Sequence, residues 1–428
     1  MVSLRYSSII SALFWLYFAS TFSYAHLPLA VYYHALGSLF NYVGGLILLL
    51  GVFYMPGMKF RQHEVLLLFS IAAILMIDCV GQVLVAFADG FGHTDPELLL
   101  RSFKSFLGVF TPFVLVLFLI KIAELCSFSF EDLSKATRYS FYILLSYLIV
   151  EMLGSKYGLE PFRFMVQLVS KYLNYRDEIN DLGGRIRGFS NEPSYMAVPV
   201  MFLVTVLLID KKINNSWRYI LLLLMVSVSA VSLSKNLLIG LIVLLLIHGL
   251  YYRKVMPFMV FGVLFFMILF YMNIQQNIGI RLQYESHGID FSTLTRVGSW
   301  VAAWNGFLDY PLFGRGFGLA GRFIIDYYPK WFYLSPEADK WIAAAGNMAT
   351  PVFSNFFRLL FEMGVMGLVL LFVVIYGFTR NSNDRSLYAH DNLLIIVGFL
   401  LSFNMVDILT YWPWFVLLGF KRYVWEVR

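Results

Sequence analysis

A short run of charged and polar residues, from Arg185 to Ala197, holds the side chains of this sequence that are best suited to chemistry. Arg185, Arg187 and Glu192 lie within a few residues of one another, directly before an apolar segment. Charged side chains are costly at the edge of a bilayer, so they usually mark a functional site. A guanidinium binds phosphate oxygens through two hydrogen bonds, and a carboxylate can activate a hydroxyl group. The run therefore predicts an anion-binding site with an acid or base beside it.

Glu192 also has a structural interpretation. It precedes Pro193, and a proline in the first turn of a helix is tolerated while an acid there suits the helix dipole. In the functional interpretation, Glu192 is the general base, or it orients Arg185 or Arg187. If it only orients an arginine, three later residues are candidates for the base: Glu285, His287 and Asp290.

A second polar segment adds Arg281, Arg296 and Arg315. Arg296 and Trp300 have the spacing of residues on one helix face. Arg315 lies in the glycine-rich run 309–318, where glycines let backbone amides and a guanidinium approach one anion. Without a preceding strand, that run alone is a weak phosphate-loop signal. Both polar segments together predict a site that binds a diphosphate.

The composition indicates an integral membrane protein. The chain has 428 residues, of which 60% are hydrophobic and 14% charged. Soluble domains carry about 25% charged residues, so we predict an all-α integral membrane protein with a single membrane domain over residues 1–428. The net charge of +6 comes from basic residues scattered between apolar spans, which predicts cytoplasmic loops and no nucleic-acid partner. Cys79 and Cys126 lack metal-ligand spacing, so no metal site is predicted.

About twelve transmembrane helices (11–12) are predicted, since about 20 apolar residues cross a bilayer. The candidate spans are 8–25, 36–55, 65–87, 106–124, 139–154, 195–210, 218–233, 236–251, 255–273, 360–379, 391–408 and 411–425. With twelve spans the basic short loops fall on one side, which the positive-inside rule makes cytoplasmic. Both termini are then cytoplasmic.

Two long loops, approximately 155–194 and 274–353, fall on the external side and carry the polar segments. We expect short helices in both of them. In the first loop, residues 161–175 have apolar side chains at helical spacing, which predicts a helix lying along the membrane surface. The predicted site is therefore external.

The motifs resemble those of the O-antigen polymerase (Wzy-type) and ligase superfamily. The similar stretches are Gly188 to Tyr195 after an external arginine, Arg296 and Trp300 before the turn 311–318, Ser232 to Asn236 between two middle helices, and Ser354 to Gly364 running into Glu-x-Gly. Their order and spacing make the joint match more specific than any single motif.

The resemblance implies an inner-membrane enzyme of bacteria that joins undecaprenyl-diphosphate-linked oligosaccharide repeats at the periplasmic face, with inversion and without a cofactor or metal. Glu192, Arg187 and Arg296 are then the expected catalytic residues. The residues expected to bind diphosphate or sugar are Arg185, Arg281, Arg315, Trp300, Tyr195, Lys235 and Asn355. The expected partners are the lipid-linked oligosaccharide, membrane lipid and a chain-length regulator protein.

Two alternatives stay open. Ligase-like members of the superfamily commonly have a histidine ahead of the Glu-x-Gly helix, whereas this chain has Asn347, Ser354 and Asn355 there. This departure favours a polymerase over a ligase that transfers to another lipid or protein acceptor. Transporters place charge near the midplane and often show repeated halves. This chain keeps its arginines in the external loops and shows no evident repeat, so a lipid-linked sugar transporter or flippase is disfavoured.

The orientation can be tested with single cysteines in a variant whose Cys79 and Cys126 are replaced by Ala. A membrane-impermeant thiol reagent added outside should label a cysteine at Asn174 and leave one at Asn215 unlabelled until the membrane is permeabilised, because the basic loops place Asn215 inside. Labelling of the Asn215 cysteine in intact cells contradicts the orientation.

Overall fold

The structure of the chain, a computed structural model, describes residues 2–21, 39–52, 57–88, 96–169, 196–210, 212–232, 235–252, 291–316, 319–336, 338–339, 342, 352, 354–379, 387–402, 414 and 417. Their regular secondary structure is entirely helical. The prediction of an all-α protein is confirmed for these residues.

The first half of the chain forms mostly long helices. They are α1 Val2–Ala19, α2 Leu39–Gly51, α3 Gln62–Ala88, α4 Pro96–Leu125, α5 Phe130–Glu151 and α6 Glu160–Val169, with a π-helical turn, Met152–Lys156, after α5. α5 begins with a capping box, in which the Ser129 side chain accepts a hydrogen bond from the Asp132 amide and Asp132 accepts one from the Ser129 amide. The α6 helix agrees with the start of the predicted surface helix, and Phe164 and Met165 are exposed on it.

The second half contains both long helices and short turns. The helices are α7 Ala197–Ile209, α8 Asn215–Ser232, α9 Lys235–Tyr251, α10 Phe291–Asp309, α11 Ala320–Phe323, α12 Asn355–Thr379 and α13 Leu387–Ser402, with 3₁₀ turns at Ile324–Tyr327 and Lys330–Leu334. The predicted loop 274–353 thus carries helices, as expected.

Two of the described helices are long and apolar enough to span a membrane, over Gln62–Leu84 in α3 and Asn355–Gly377 in α12. A third span exists if Phe113–Leu125 and Phe130–Ser155, bent by 114°, are counted as one. Shorter apolar helices include α7 and α9. These findings agree with a helical membrane protein, whereas the count of about twelve spans stays a prediction.

Helix α7 lies at the centre of the main core, because every residue from Ala197 to Ile209 is buried. It packs against α5, α9 and α13. A helix that is apolar on all sides must be surrounded by protein or lipid, and here the surroundings are other helices. The segment 170–195 that precedes it lies outside the described residues.

Helix α12 is broken at Gly364, where the backbone has φ 59° and ψ −140°. The turn between α10 and α11 packs into this break. Arg315 N–H donates to Phe361 O at 2.7 Å and Gly316 N–H to Glu362 O at 3.1 Å. Below the break, Val365 N–H donates to Pro311 O at 2.8 Å and Met366 N–H to Leu312 O at 3.3 Å. The turn thus satisfies backbone groups that the break removes from the helix.

This joint predicts that Gly364→Ala destabilises the protein. The positive φ is unfavourable for alanine, and a Cβ at Gly364 would lie 2.5 Å from Pro311 O. The expected loss in the free energy of unfolding is about 1–3 kcal/mol from backbone strain, with a further loss from the overlap. Thermal unfolding of the purified protein in detergent measures it.

The matched control is Gly45→Ala in α2, where an added Cβ meets nothing within 4 Å and the backbone is helical. That variant should unfold at the same temperature as the original protein or slightly higher. Equal unfolding temperatures for both alanine variants would contradict the structural role of Gly364.

Candidate functional site

Several residues that the sequence predicts for the site lie outside the described residues. These are Arg185, Arg187, Glu192, Tyr195, Arg281, Glu285, His287 and Asp290. Lys235 is the first residue of α9, but its side chain also falls outside the described part. Their roles stay predictions. The described part of the site is formed by α10, the turn 310–316, the 3₁₀ turn Ile324–Tyr327 and the first half of α12.

Arg315 is held by aromatic and hydroxyl groups. Its Nε and one terminal nitrogen donate to the Tyr327 hydroxyl at 3.0 and 2.8 Å, and its guanidinium lies 4.0 Å from the centre of the Tyr310 ring. Its backbone is fixed on α12 through the Phe361 carbonyl. The predicted anion-binding residue is therefore oriented, with its charge placed against aromatic faces.

The Tyr327 hydroxyl links this arginine to a carboxylate. It accepts from Arg315 and donates to Asp309 Oδ2 at 2.8 Å. Burial raises the pKa of Tyr327, and the hydrogen bond to Asp309 raises it further, while Arg315 acts in the opposite direction. Tyr327 is thus a neutral phenol whose hydroxyl bridges the Arg315 guanidinium and the Asp309 carboxylate.

Helix α10 presents Arg296 and Trp300, four residues apart on one face. The Trp300 ring stacks on Phe357 of α12, with ring centroids 5.7 Å apart. Arg296 is half-buried and forms no ion pair with a residue that the structure describes. A half-buried guanidinium without such an ion pair can bind an anion without first breaking one.

An ion pair on α12 was missed by the sequence reasoning. Arg358 Nε donates to Glu362 Oε1 at 2.9 Å, and the same oxygen accepts from Ala320 N–H at 3.3 Å. The Glu362 side chain is buried, whereas Arg358 stays 30% exposed. The i, i+4 spacing of an arginine and a glutamate at the start of an apolar helix was the signal that could have found the pair.

Asn355, predicted to bind substrate, is the first residue of α12 and is buried together with Ser354. Three residues of this helix then contact the other elements in order. Phe357 packs on Trp300, Phe361 binds the Arg315 amide, and Glu362 binds the α11 amide of Ala320. The first half of α12 therefore contacts Trp300 and the Arg315 backbone, and it carries Arg358.

The arrangement can bind an anion with arginines and place a flat apolar face, such as a sugar ring, against aromatic side chains. Among the residues that the structure describes, no group of three or more His, Cys, Asp or Glu side chains could hold a metal ion.

Residues 220–372 match the family model described as O-antigen ligase. The matched segment runs from α8 to α12, so it includes Arg296, Trp300, Arg315 and the break at Gly364. The match confirms the resemblance to the O-antigen polymerase and ligase superfamily. No curated protein matches the chain.

Proposed function

We propose that this protein is a polysaccharide polymerase, which joins undecaprenyl-diphosphate-linked oligosaccharide repeats at the periplasmic face of the bacterial inner membrane. The family match supports a membrane glycosyltransferase of the O-antigen polymerase and ligase type. The observation that carries the proposal is that Trp300 and the Arg315 backbone both pack against the first half of α12, which itself carries Arg358. Cationic and aromatic groups together suit a sugar diphosphate.

In the proposed reaction, a hydroxyl of the acceptor sugar attacks the anomeric carbon of the donor. A new carbon–oxygen bond forms with inversion, the bond to the diphosphate breaks, and its electron pair leaves with the diphosphate. Arg296, Arg315 and Arg187 stabilise the negative charge that develops on this leaving group. Glu192 takes the hydroxyl proton. If Glu192 instead orients an arginine, Glu285, His287 or Asp290 takes the proton.

The remaining predicted residues bind the rest of the substrate. Arg185, Arg281 and Lys235 add positive charge around the diphosphate, while Tyr195, Trp300 and Asn355 contact sugar. The buried position of Asn355 at the start of α12 suits a residue that orients the substrate from the end of a helix. A chain-length regulator protein is the further partner that we propose.

Ligation to another lipid or protein acceptor is the second candidate. It is supported by the family model, which is described as O-antigen ligase. Asn347, Ser354 and Asn355 stand where ligase-like members commonly have a histidine, and this departure favours the polymerase. A transporter or flippase would be favoured by charge at the membrane midplane and by repeated halves.

The experiment that separates the candidates incubates the purified protein in bilayers with the lipid-linked oligosaccharide repeat alone. A polymerase should give a ladder of products that differ by one repeat. A ligase should give no ladder and should need a second, foreign acceptor, to which it makes a single transfer. Movement of the intact substrate between leaflets without a new glycosidic bond would establish a flippase instead.

Replacement of the proposed diphosphate ligands should abolish the reaction. Arg296→Ala and Arg315→Ala are each expected to lower the rate by a factor of about 10²–10³, because each removes a preorganised donor to the leaving group. Lysine at either position should recover only part of the rate, since the planar fork is lost. The measurement is the initial rate of repeat addition, normalised to protein in the membrane.

The control is Arg163→Ala, since Arg163 is exposed on α6, which packs against α5 and the π-helical turn that follows α5. Its rate should stay within about twofold of the original, as is usual for a change at an exposed surface position. Full activity of both the Arg296 and the Arg315 alanine variants would contradict the diphosphate site.

A further inference from the structure

Two polar residues interrupt the buried stripe of α3. The residues of this helix that face the interior recur every three or four positions, as Leu67, Ile71 and Leu75 show. Asp78 and Gln82 occupy the next positions of the same stripe, and both are buried. Since α3 is long and apolar enough to span the membrane, a carboxylate at this depth is costly and indicates a functional role.

The pair does not satisfy its own hydrogen-bonding capacity. Gln82 Nε2 donates to Asp78 Oδ2, but Asp78 Oδ1 and Gln82 Oε1 have no hydrogen-bond partner in the described part of the chain. Buried polar atoms that serve packing alone are normally bonded. Packing of α3 is therefore an insufficient explanation for these two side chains.

The pair lies next to the site described above. Gly81 packs against the Phe313 ring of the turn, so closely that a Cβ would lie 2.3 Å from the ring. Helix α3 also packs along α12, the helix that carries Glu362. The segment 62–88 lies outside the part that matches the family model, so this contact adds an element to the site that the match does not contain.

Glu362 on α12 fixes an arginine at the surface of the site. It holds Arg358 Nε at 2.9 Å, and Arg358 is the partly exposed member of the pair. Buried carboxylates on two helices that pack together disfavour each other's charge. A change at Asp78 therefore alters the environment of the Glu362 carboxylate, which holds the Arg358 guanidinium.

We propose that Asp78, held by Gln82, is a positioning residue of the active site, which acts through Glu362 on Arg358 as a ligand of the substrate diphosphate. The proposal rests on the polymerase function proposed above for the identity of the anion. Helix α3 then forms one side of the site, and Arg358 is a further residue that binds the leaving group.

The first test compares two substitutions at Asp78. Asp78→Leu removes the polar atoms, and kcat/KM for repeat addition should fall about tenfold or more, because a misplacement of about 1 Å can cost on the order of 100-fold. Asp78→Asn keeps the shape of the side chain and the contact to Gln82, so kcat/KM should fall clearly less than in Asp78→Leu. Cys79→Leu, the neighbouring position outside the buried stripe, is the control and should stay within about twofold.

The second test separates positioning from a general loss of structure. Asp78→Leu, Glu362→Gln and the double variant are compared in kcat/KM, with the unfolding temperature measured for each. If Asp78 acts through Glu362, the double variant should lose little more than the worse single variant, because residues of one network are not additive. The proposal would be overturned if the losses in kcat/KM of the two single variants multiply in the double variant. It would also be overturned if the loss in kcat/KM of each variant is proportional to the fall in its unfolding temperature.

A failure of the polymerase function itself can be recognised separately. If the original protein forms no glycosidic bond with the lipid-linked repeat, the binding of undecaprenyl diphosphate to the same proteins is measured. A weaker Kd in Asp78→Leu, with the same lack of additivity, would retain the positioning role without the polymerase. Equal Kd values in all four proteins would overturn it.

Discussion

The joint between the turn 310–316 and the broken helix α12 is the constraint on which the rest of the site depends. Four backbone hydrogen bonds connect the two segments around Gly364, two above the break and two below. A broken helix exposes carbonyl and amide groups, and these would be unsatisfied in an apolar environment without the turn. The turn 310–316 lies between α10 and α11 and belongs to neither helix. The turn and the break in α12 therefore stabilise each other.

This joint explains how side chains distant in sequence meet. Arg315 leaves the turn at the position where its amide is bonded to α12, and Arg358 and Glu362 lie in the half of α12 before the break. Glycine is required at Gly314 because its φ is 67° and its Cβ would lie 2.4 Å from the Glu362 backbone. Close approach of two backbones, permitted by glycine on both sides, fixes the Arg315 amide against the helix that carries Arg358.

Part of this arrangement was predictable from the sequence. The glycine-rich run around Arg315 predicted a turn, and the spacing of Arg296 and Trp300 predicted their common face on a helix, which α10 confirms. The apolar segments predicted an all-helical protein, because their length and composition are local properties. The number of membrane spans and the orientation stay predictions.

Other features depend on contacts between distant segments, which one sequence does not reveal. Gly364 is visible in the sequence, but its positive φ results from the turn that packs against it. Asp78 appears in the sequence as an isolated acid in an apolar span, and only the fold packs its helix against the turn and α12. The link from Arg315 through Tyr327 to Asp309 likewise requires the turn to bring both ends together. Tertiary packing, and not local propensity, determines these positions.

Because the joint is made almost entirely by main-chain atoms and glycines, the identity of most side chains that project from it does not affect how it closes. Such a scaffold separates two demands that usually conflict: a fixed geometry at the reacting centre and freedom to vary the residues around it. Homologous chains could keep the same frame while exchanging the exposed aromatic and polar residues. Variation of the site would then proceed by substitution on a constant backbone, without insertions or new loops.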